Sequence, residues 1–370
     1  MSLVTSRVMK RLDAAIATSR NPMDLACLKA ERALFLTRLG RFDQARAVID
    51  ELRTVQARSP SPALAVWLCL NEGVLEQVTQ HGATARDRIL RAYALSVAAR
   101  LRPMIALSAA WLAFLDYVDG DLPSLARRLS EALQEAGKDQ HAARSRACLV
   151  AAQAFHWGGR LDLARPWYQR ARDHAQAEGD DLTVAALMLN RAVIDGNQLR
   201  AASIFEVEPD DQALRQALLA AESSGNFNDY VGKAATKALV PVLRAQLLLA
   251  QRDHAGALAL YEAHLDDVRS EGLDHIRPPI DADMAWCKLN LGRRDEALSD
   301  ALAAAQSFGP DCEEEARAAA HGRLAQVFKA LDMPAEAQQQ NELAQANLQA
   351  YRAQQAELLA LVGEALKQVP

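Results

Sequence analysis

An all-α fold, an α-solenoid of about eight antiparallel helical hairpins, is what this sequence predicts, and three observations carry it. Ala, Leu, Gln, Arg and Glu are abundant, and the 370 residues hold only 5% aromatics, 17 Gly and 13 Pro. These side chains lose little rotamer freedom in a helix, and so few glycines and prolines cannot supply the turns of a many-stranded protein. A second signal is a crossing position that recurs at Ala45, Ala85, Leu125, Ala164, Ala217, Ala257, Ala297 and Ala337, with separations of 40, 40, 39, 53, 40, 40 and 40. Third, twelve positions before seven of these stands another small residue: Ala33, Gly73, Ala113, Ala152, Ala245, Ala285 and Ala325. A period near 40 does not arise from one helix; it marks a helical hairpin that stacks on its neighbours. Small residues facing each other let two helix axes approach closely.

Residues 1–20 read as an N-terminal capping helix. Leu12 and Ile16 lie on one face, Arg7, Lys10, Arg11 and Arg20 are basic, and Asn21-Pro22 is a stop. The scarcity of acid also fits an organelle transit peptide, while the apolar run of a secretory signal is missing. Residues 24–347 read as the repeat array. The segments LGRFDQARAVIDEL (39–52), GRLDLARPWYQRA (159–171) and LGRRDEALSDALAAA (291–305) each combine a helix end, a turn and a new helix. Gly40, Gly159 and Gly292 suit the left-handed conformation that closes a helix; Asp43, Asp162 and Asp295 favour the next start by capping and by charge. The 53-residue gap predicts a helix over 182–202, an inserted loop at Ile204 to Pro209 and a second helix over about 210–223. Gly225 to Ala234 (GNFNDYVGKA) imitates a phosphate loop but has the wrong glycine spacing and Ala after Lys233, so it reads as an inter-helix turn. Glu313, Glu314 and Glu315 suit the first turn of a helix after Pro310-Asp311. From Pro334 to Val369 the chain reads as one helix, of which 348–370 is the end of a long capping or dimerising helix. There Leu348, Tyr351, Leu358, Val362, Ala365 and Val369 recur at steps of three and four or their multiples.

The charge balance, 42 Lys+Arg against 47 Asp+Glu with no large block of either sign, gives a net charge of −5 and argues against a sequence-independent nucleic-acid binder. No apolar stretch reaches about 18 residues, so no membrane span is expected. Cys27, Cys69, Cys148, Cys287 and Cys312 stand far apart and odd in number, which points to reduced thiols, most of them buried, in a cytoplasmic protein. Motifs for metal-dependent hydrolysis, a serine nucleophile, a CxxC pair, a calcium loop or a dinucleotide are missing. The sequence therefore predicts no catalytic residue, no cofactor and no metal.

The paired small residues, the turn, the apolar residue two positions past its glycine (Phe42, Leu122, Leu161) and a bulky residue further on (Ile49, Leu129, Tyr168, Tyr261) resemble the tetratricopeptide repeat (TPR) family over about residues 24–347. The repeats are nearer 40 than 34 residues, and in that long form they resemble those of bacterial regulatory proteins. The resemblance implies a right-handed superhelix whose first helices line a concave groove that receives a protein or peptide. Counting from each small residue, the partner-binding side chains are Trp67, Asn71, Trp111, Phe114, Tyr117, Arg146, Gln153, His156, Trp157, Arg191 and Trp286. Trp67, Trp111, Phe114, Tyr117 and Trp157 would form an aromatic patch bordered by Arg146, Gln153 and His156, the composition of a binding hot spot. A shift of one residue in register would put the same rings in the core. Asn71 lacks the Lys and Asn that a carboxylate clamp needs in the preceding unit, where Ala30 and Leu34 stand. The expected function is a non-enzymatic scaffold or adaptor with a regulatory role. The alternative is a sensory module whose groove binds a small effector or peptide while the C-terminal helix relays occupancy, with a homodimer through that helix possible.

If Ala164 marks a crossing, Ala164→Trp overpacks one hairpin and lowers stability by about 1 to 3 kcal/mol. Thermal denaturation measures this, and an unchanged melting curve contradicts the register.

Overall fold

The computed structural model describes residues 6–80, 83–205, 210–233, 237–309, 312–367 and 369. Within them the chain is helical, and a lone helix α1 (Arg7–Thr18) precedes eight pairs. These are α2 (Pro22–Arg38) with α3 (Phe42–Arg58), α4 (Pro62–Gln80) with α5 (Ala83–Ala98), α6 (Arg102–Val118) with α7 (Leu122–Glu135), and α8 (His141–Trp157) with α9 (Leu161–Glu178). They continue as α10 (Asp181–Phe205) with α11 (Asp211–Val231), α12 (Leu239–Ala250) with α13 (His254–Ser270), α14 (Arg277–Asn290) with α15 (Arg294–Ala305), and α16 (Glu314–Ala330) with α17 (Pro334–Leu366). This is an all-α solenoid of TPR-like hairpins.

The crossing positions are where the period puts them. Ala33, Ala45, Ala85, Ala113, Leu125, Ala152, Ala164, Ala245, Ala257, Ala285 and Ala297 are all fully buried. At the α4/α5 crossing even a methyl group is too large: a Cβ on Gly73 would lie 2.9 Å from the Ala85 carbonyl oxygen. Ala325 and Ala337, in the last pair, are only partly buried. The bulky residues Ile49, Leu129, Tyr168 and Tyr261 fill the space beside the crossings.

Six of the hairpin turns close in the same way. The amide of Arg41 reaches back to the Leu36 carbonyl, and Asp121, Arg160, Asp253, Arg293 and Met333 repeat this bond to Asp116, Phe155, Leu248, Lys288 and Phe328. The bond requires a positive φ at the preceding residue, found at Gly40, Gly120, Gly159 and Gly292 and, without glycine, at Arg252 and Asp332. The capping expected of Asp43, Asp162 and Asp295 is not what these residues do. Arg41, Arg160 and Arg293 hold the N-cap positions without side-chain caps, and the acids lie in the first turn, where their charge faces the helix dipole. True side-chain caps come from Asn21, Asp121 and Asp253.

Three further sequence expectations change. The helix expected to end at 202 continues through Ile204 and Phe205, which pack on Gly322 of α16, while residues 206–209 of the expected loop lie outside the described residues. Gly225 to Val231 is not a turn but the end of α11, because apolar Phe227 and Val231 extend its packed face; the turn begins at Gly232, and 234–236 lie outside the described residues. The face of α17 offered for dimerisation is occupied: Leu358, Val362 and Leu366 join the core built by α6 to α9, and Leu359 lies against Gly158. These positions of the expected seam are packed within the chain, while Leu348 is only partly buried.

The chain forms two compact units, Met1–Met188 with Phe227–Ala235 and Glu357–Pro370, and Leu189–Asn226 with Thr236–Ala356. In the first, α1 and α2 share a core with the start of α10, where Val8, Leu12, Phe35 and Leu36 meet Leu182 and Ala185. In the second, Ala192, Leu214, Ala217, Leu243 and Leu247 join α10, α11 and α12.

A left-handed Asp332 carries a steric cost that glycine avoids. Asp332→Gly is expected to stabilise the last hairpin by about 1 kcal/mol, read as a raised melting temperature; a lowered one contradicts this account.

Candidate functional site

Groove-facing residues follow the helix period. Trp67 stands six positions before its crossing residue Gly73, Trp111 two before Ala113, Trp286 one after Ala285 and Trp157 five after Ala152, steps that keep one face. The structure gathers part of this stripe into two pockets, one in each unit.

The pocket of the first unit has a volume of about 280 Å³. Trp67, Met104, Leu107 and Trp111 form its apolar wall, and Arg146 crosses it with the guanidinium carbon 3.4 Å from the centre of the Trp111 ring. The opposite wall comes from the ends of the array. Arg38 of α2 donates to Asp180, 142 residues away, at 2.8 Å, and to the Thr183 hydroxyl at 2.8 Å. Arg11 of α1 bonds Glu178 and, at 3.3 Å, Glu31, while Arg7 reaches Asp181 at 3.2 Å. A pocket therefore forms because α1 and α2 return to the start of α10.

Its charges are unequally satisfied. Burial raises the Asp180 carboxyl, but the charge and hydrogen bonds of Arg38, with those of Thr183, outweigh this and hold it below its ordinary value. Burial raises Glu31, which Arg11 lowers and Glu178 raises again. Arg146 is different. It makes no ion pair and no side-chain hydrogen bond among the described residues, and burial, followed by the like charge of Arg38, pushes its pKa well down against the opposing charge of Asp180. Because a guanidinium does not give up its proton in proteins, this describes a cation short of negative charge.

The pocket of the second unit is larger, about 680 Å³, and lies at the C-terminal ends of α12, α14 and α16. Trp286, His254, Arg252, Asn290, Arg323, Gln326 and Lys329 line it. Arg323 stands over Trp286 at 5.5 Å, an arrangement like that of Arg146 over Trp111 but one helical turn further along.

Of the residues expected in the groove, Trp67, Trp111 and Arg146 meet in one pocket and Trp286 lines the other. Trp111 is also 4% exposed, so groove and core describe the same ring. Phe114 stands edge-on behind it at 6.2 Å. Asn71 is fully buried and donates to the carbonyls of Ala30 and Trp67, which fastens α4 to α2 instead of facing a ligand. His156 is turned inward onto the Tyr168 hydroxyl at 3.1 Å, Gln153 is buried, and Tyr117 and Trp157 pack on the core of α6 to α9. Arg191 is exposed and lies 3.6 Å from Asp195. Position within one hairpin could not identify Arg38, Asp180 or Glu178, which enter the site through long-range closure.

This chain folds like a Rap protein. A crystal structure of Rap protein complexed with competence and sporulation factor superimposes with a TM-score of 0.58 over 94% of this chain and 99% of that one, at 10% sequence identity. At that identity the likeness concerns the fold alone. No family model matches the sequence, and no curated protein matches it. No described helix is long and apolar enough to cross a membrane. Cys148, Cys287 and Cys312 are buried, the first two with thiols pushed up to about 12 by burial, whereas Cys27 and Cys69 are only partly covered.

The Arg38–Asp180 pair adds stability above the unfolded carboxyl's pKa of about 4 and loses it as the pH falls through the lower folded value. Asp180→Asn is expected to cost about 3 kcal/mol at neutral pH by leaving Arg38 unpaired. In melting experiments the gap between variant and parent closes as the pH drops below about 4; a gap constant down to pH 3 excludes the pair as its source.

Proposed function

We propose that the chain is a non-enzymatic regulator that binds a short peptide in the pocket of the first unit. One observation carries this reading: Arg146, partly buried, stacked on Trp111 and with no direct ion pair or side-chain hydrogen bond among the described residues. A cation held this way is stabilised by an incoming anion, since charge-assisted hydrogen bonds strengthen where water is displaced. Trp67, Met104 and Leu107 supply apolar surface beside it. A peptide whose last side chain is apolar and whose terminal carboxylate meets Arg146 satisfies both. The Rap protein crystallised with competence and sporulation factor adds an example of this fold holding a factor, and the TPR-like groove agrees with a protein or peptide partner.

A sensory reading is favoured by α17, whose residues up to Ala356 belong to the second unit while those from Glu357 belong to the first. An occupant that shifts either end acts on one continuous helix. The mass of the protein in solution, measured with and without peptide, separates a relay that assembles a dimer from a scaffold that stays as it is.

The test compares short peptides ending in an aromatic or branched residue, each as free acid and as C-terminal amide, by quenching of tryptophan fluorescence. The free acids are expected to bind about tenfold more tightly, and Arg146→Gln removes that preference without lowering helix content. Equal binding of acid and amide to the parent protein rejects this role for Arg146.

A further inference from the structure

The pocket of the second unit is lined by cationic and neutral side chains and by no carboxylate. Its deepest cation, Arg323, is only 4% exposed. Its Nε lies 3.4 Å from Asp283 and its Nη1 donates to Gln326 at 2.8 Å, which leaves Nη2 without a bond among the described residues. Asp283 is itself fully buried and is engaged more closely by Arg200 at 2.9 Å and the Tyr261 hydroxyl at 3.0 Å. Glu315 also acts on Arg200, more weakly than Asp283. Burial lowers the Arg323 pKa, Asp283 opposes this, and the charge of Arg200 adds to it.

Three further groups border the same space. Lys329 is exposed and makes no ion pair among the described residues. Arg252, held with positive φ, brings a second exposed guanidinium. The Nδ1 of His254 is buried with no hydrogen-bond partner among the described residues. Its ring stands edge-on to Trp286 at 6.5 Å, and its pKa is lowered by burial and then by Arg323 and Arg252, against the opposing charge of Asp253. A neutral imidazole can accept or donate at that atom.

We propose that this pocket binds the phosphate groups of a small phosphorylated molecule. The lining brings three permanently cationic side chains together without a carboxylate, and a diphosphate carries acceptors enough to meet Arg252, Arg323 and Lys329 together. The volume of about 680 Å³ leaves room for more than the anion, and Trp286, Asn290 and Gln326 meet the remainder with an aromatic edge and two amides. This site is independent of the peptide pocket in the first unit.

Inorganic pyrophosphate is the probe, titrated into the full chain by calorimetry and melting, with citrate at equal ionic strength as the polycarboxylate control. Pyrophosphate is expected to bind and raise the melting temperature, and citrate to do so at least about tenfold more weakly. The double substitution Arg252→Gln, Lys329→Gln, both exposed, is expected to keep the helix content and weaken pyrophosphate by about tenfold or more. Arg146→Gln, in the other unit, is expected to leave pyrophosphate binding unchanged. The proposal is overturned by absence of binding at millimolar pyrophosphate, by citrate binding as well as pyrophosphate, or by full affinity in the folded double variant.

Discussion

Everything in this molecule depends on how closely two helices can cross. Where the crossing residue carries no more than a methyl group, the axes approach until neighbouring side chains interlock. Gly73 shows the limit, because there not even a methyl fits. Leu125 shows the tolerance: a leucine is admitted in that position because it faces Ala113, and it is fully buried in the shared core of its neighbours. A nearly constant offset between hairpins then carries the same helical face forward from one repeat to the next. The aromatic stripe is a product of that regularity.

Regular stacking alone would leave an open concave surface. The first unit gains a pocket because charges at its two ends meet, with Arg38 on Asp180 and Arg11 on Glu178 and Glu31. Those ion pairs engage Glu31, Glu178 and Asp180 on one wall, and Arg146 on the facing wall has no direct ion pair among the described residues. The second unit reaches a related outcome by another route: Asp283 sits beneath Arg200 and Arg323, and the residual positive character opens into a larger space. Both pockets pair an arginine with a tryptophan from the preceding first helix.

The fold was legible in the sequence because its determinants are local and repeated. Ala45, Ala164 and Ala297 recur with the same turn before them, and a positive φ at Gly40, Gly159 and Gly292 could be inferred from residue type alone. Arg252 and Asp332 escaped that inference because the backbone bond, not the side chain, imposes their conformation. The site was legible only in part. Trp67, Trp111, Arg146 and Trp286 follow from counting along a helix, whereas Asn71 and His156 satisfy the same count but use their polar atoms on Ala30 and Tyr168. Arg38 and Asp180 stand 142 residues apart, and their meeting depends on rotation summed over several hairpins, which no single repeat records.

The placement of Leu358, Val362 and Leu366 in the core of α6 to α9 has a consequence for biosynthesis. The ribosome delivers those early helices long before the segment that completes their packing. Until residues 358–366 emerge, the apolar core of α6 to α9 lacks part of its cover, a state in which nascent chains are exposed to aggregation. The final turns of α17 therefore act as a check on completeness: a chain truncated before Leu358 keeps every crossing pair and still has an unfinished core.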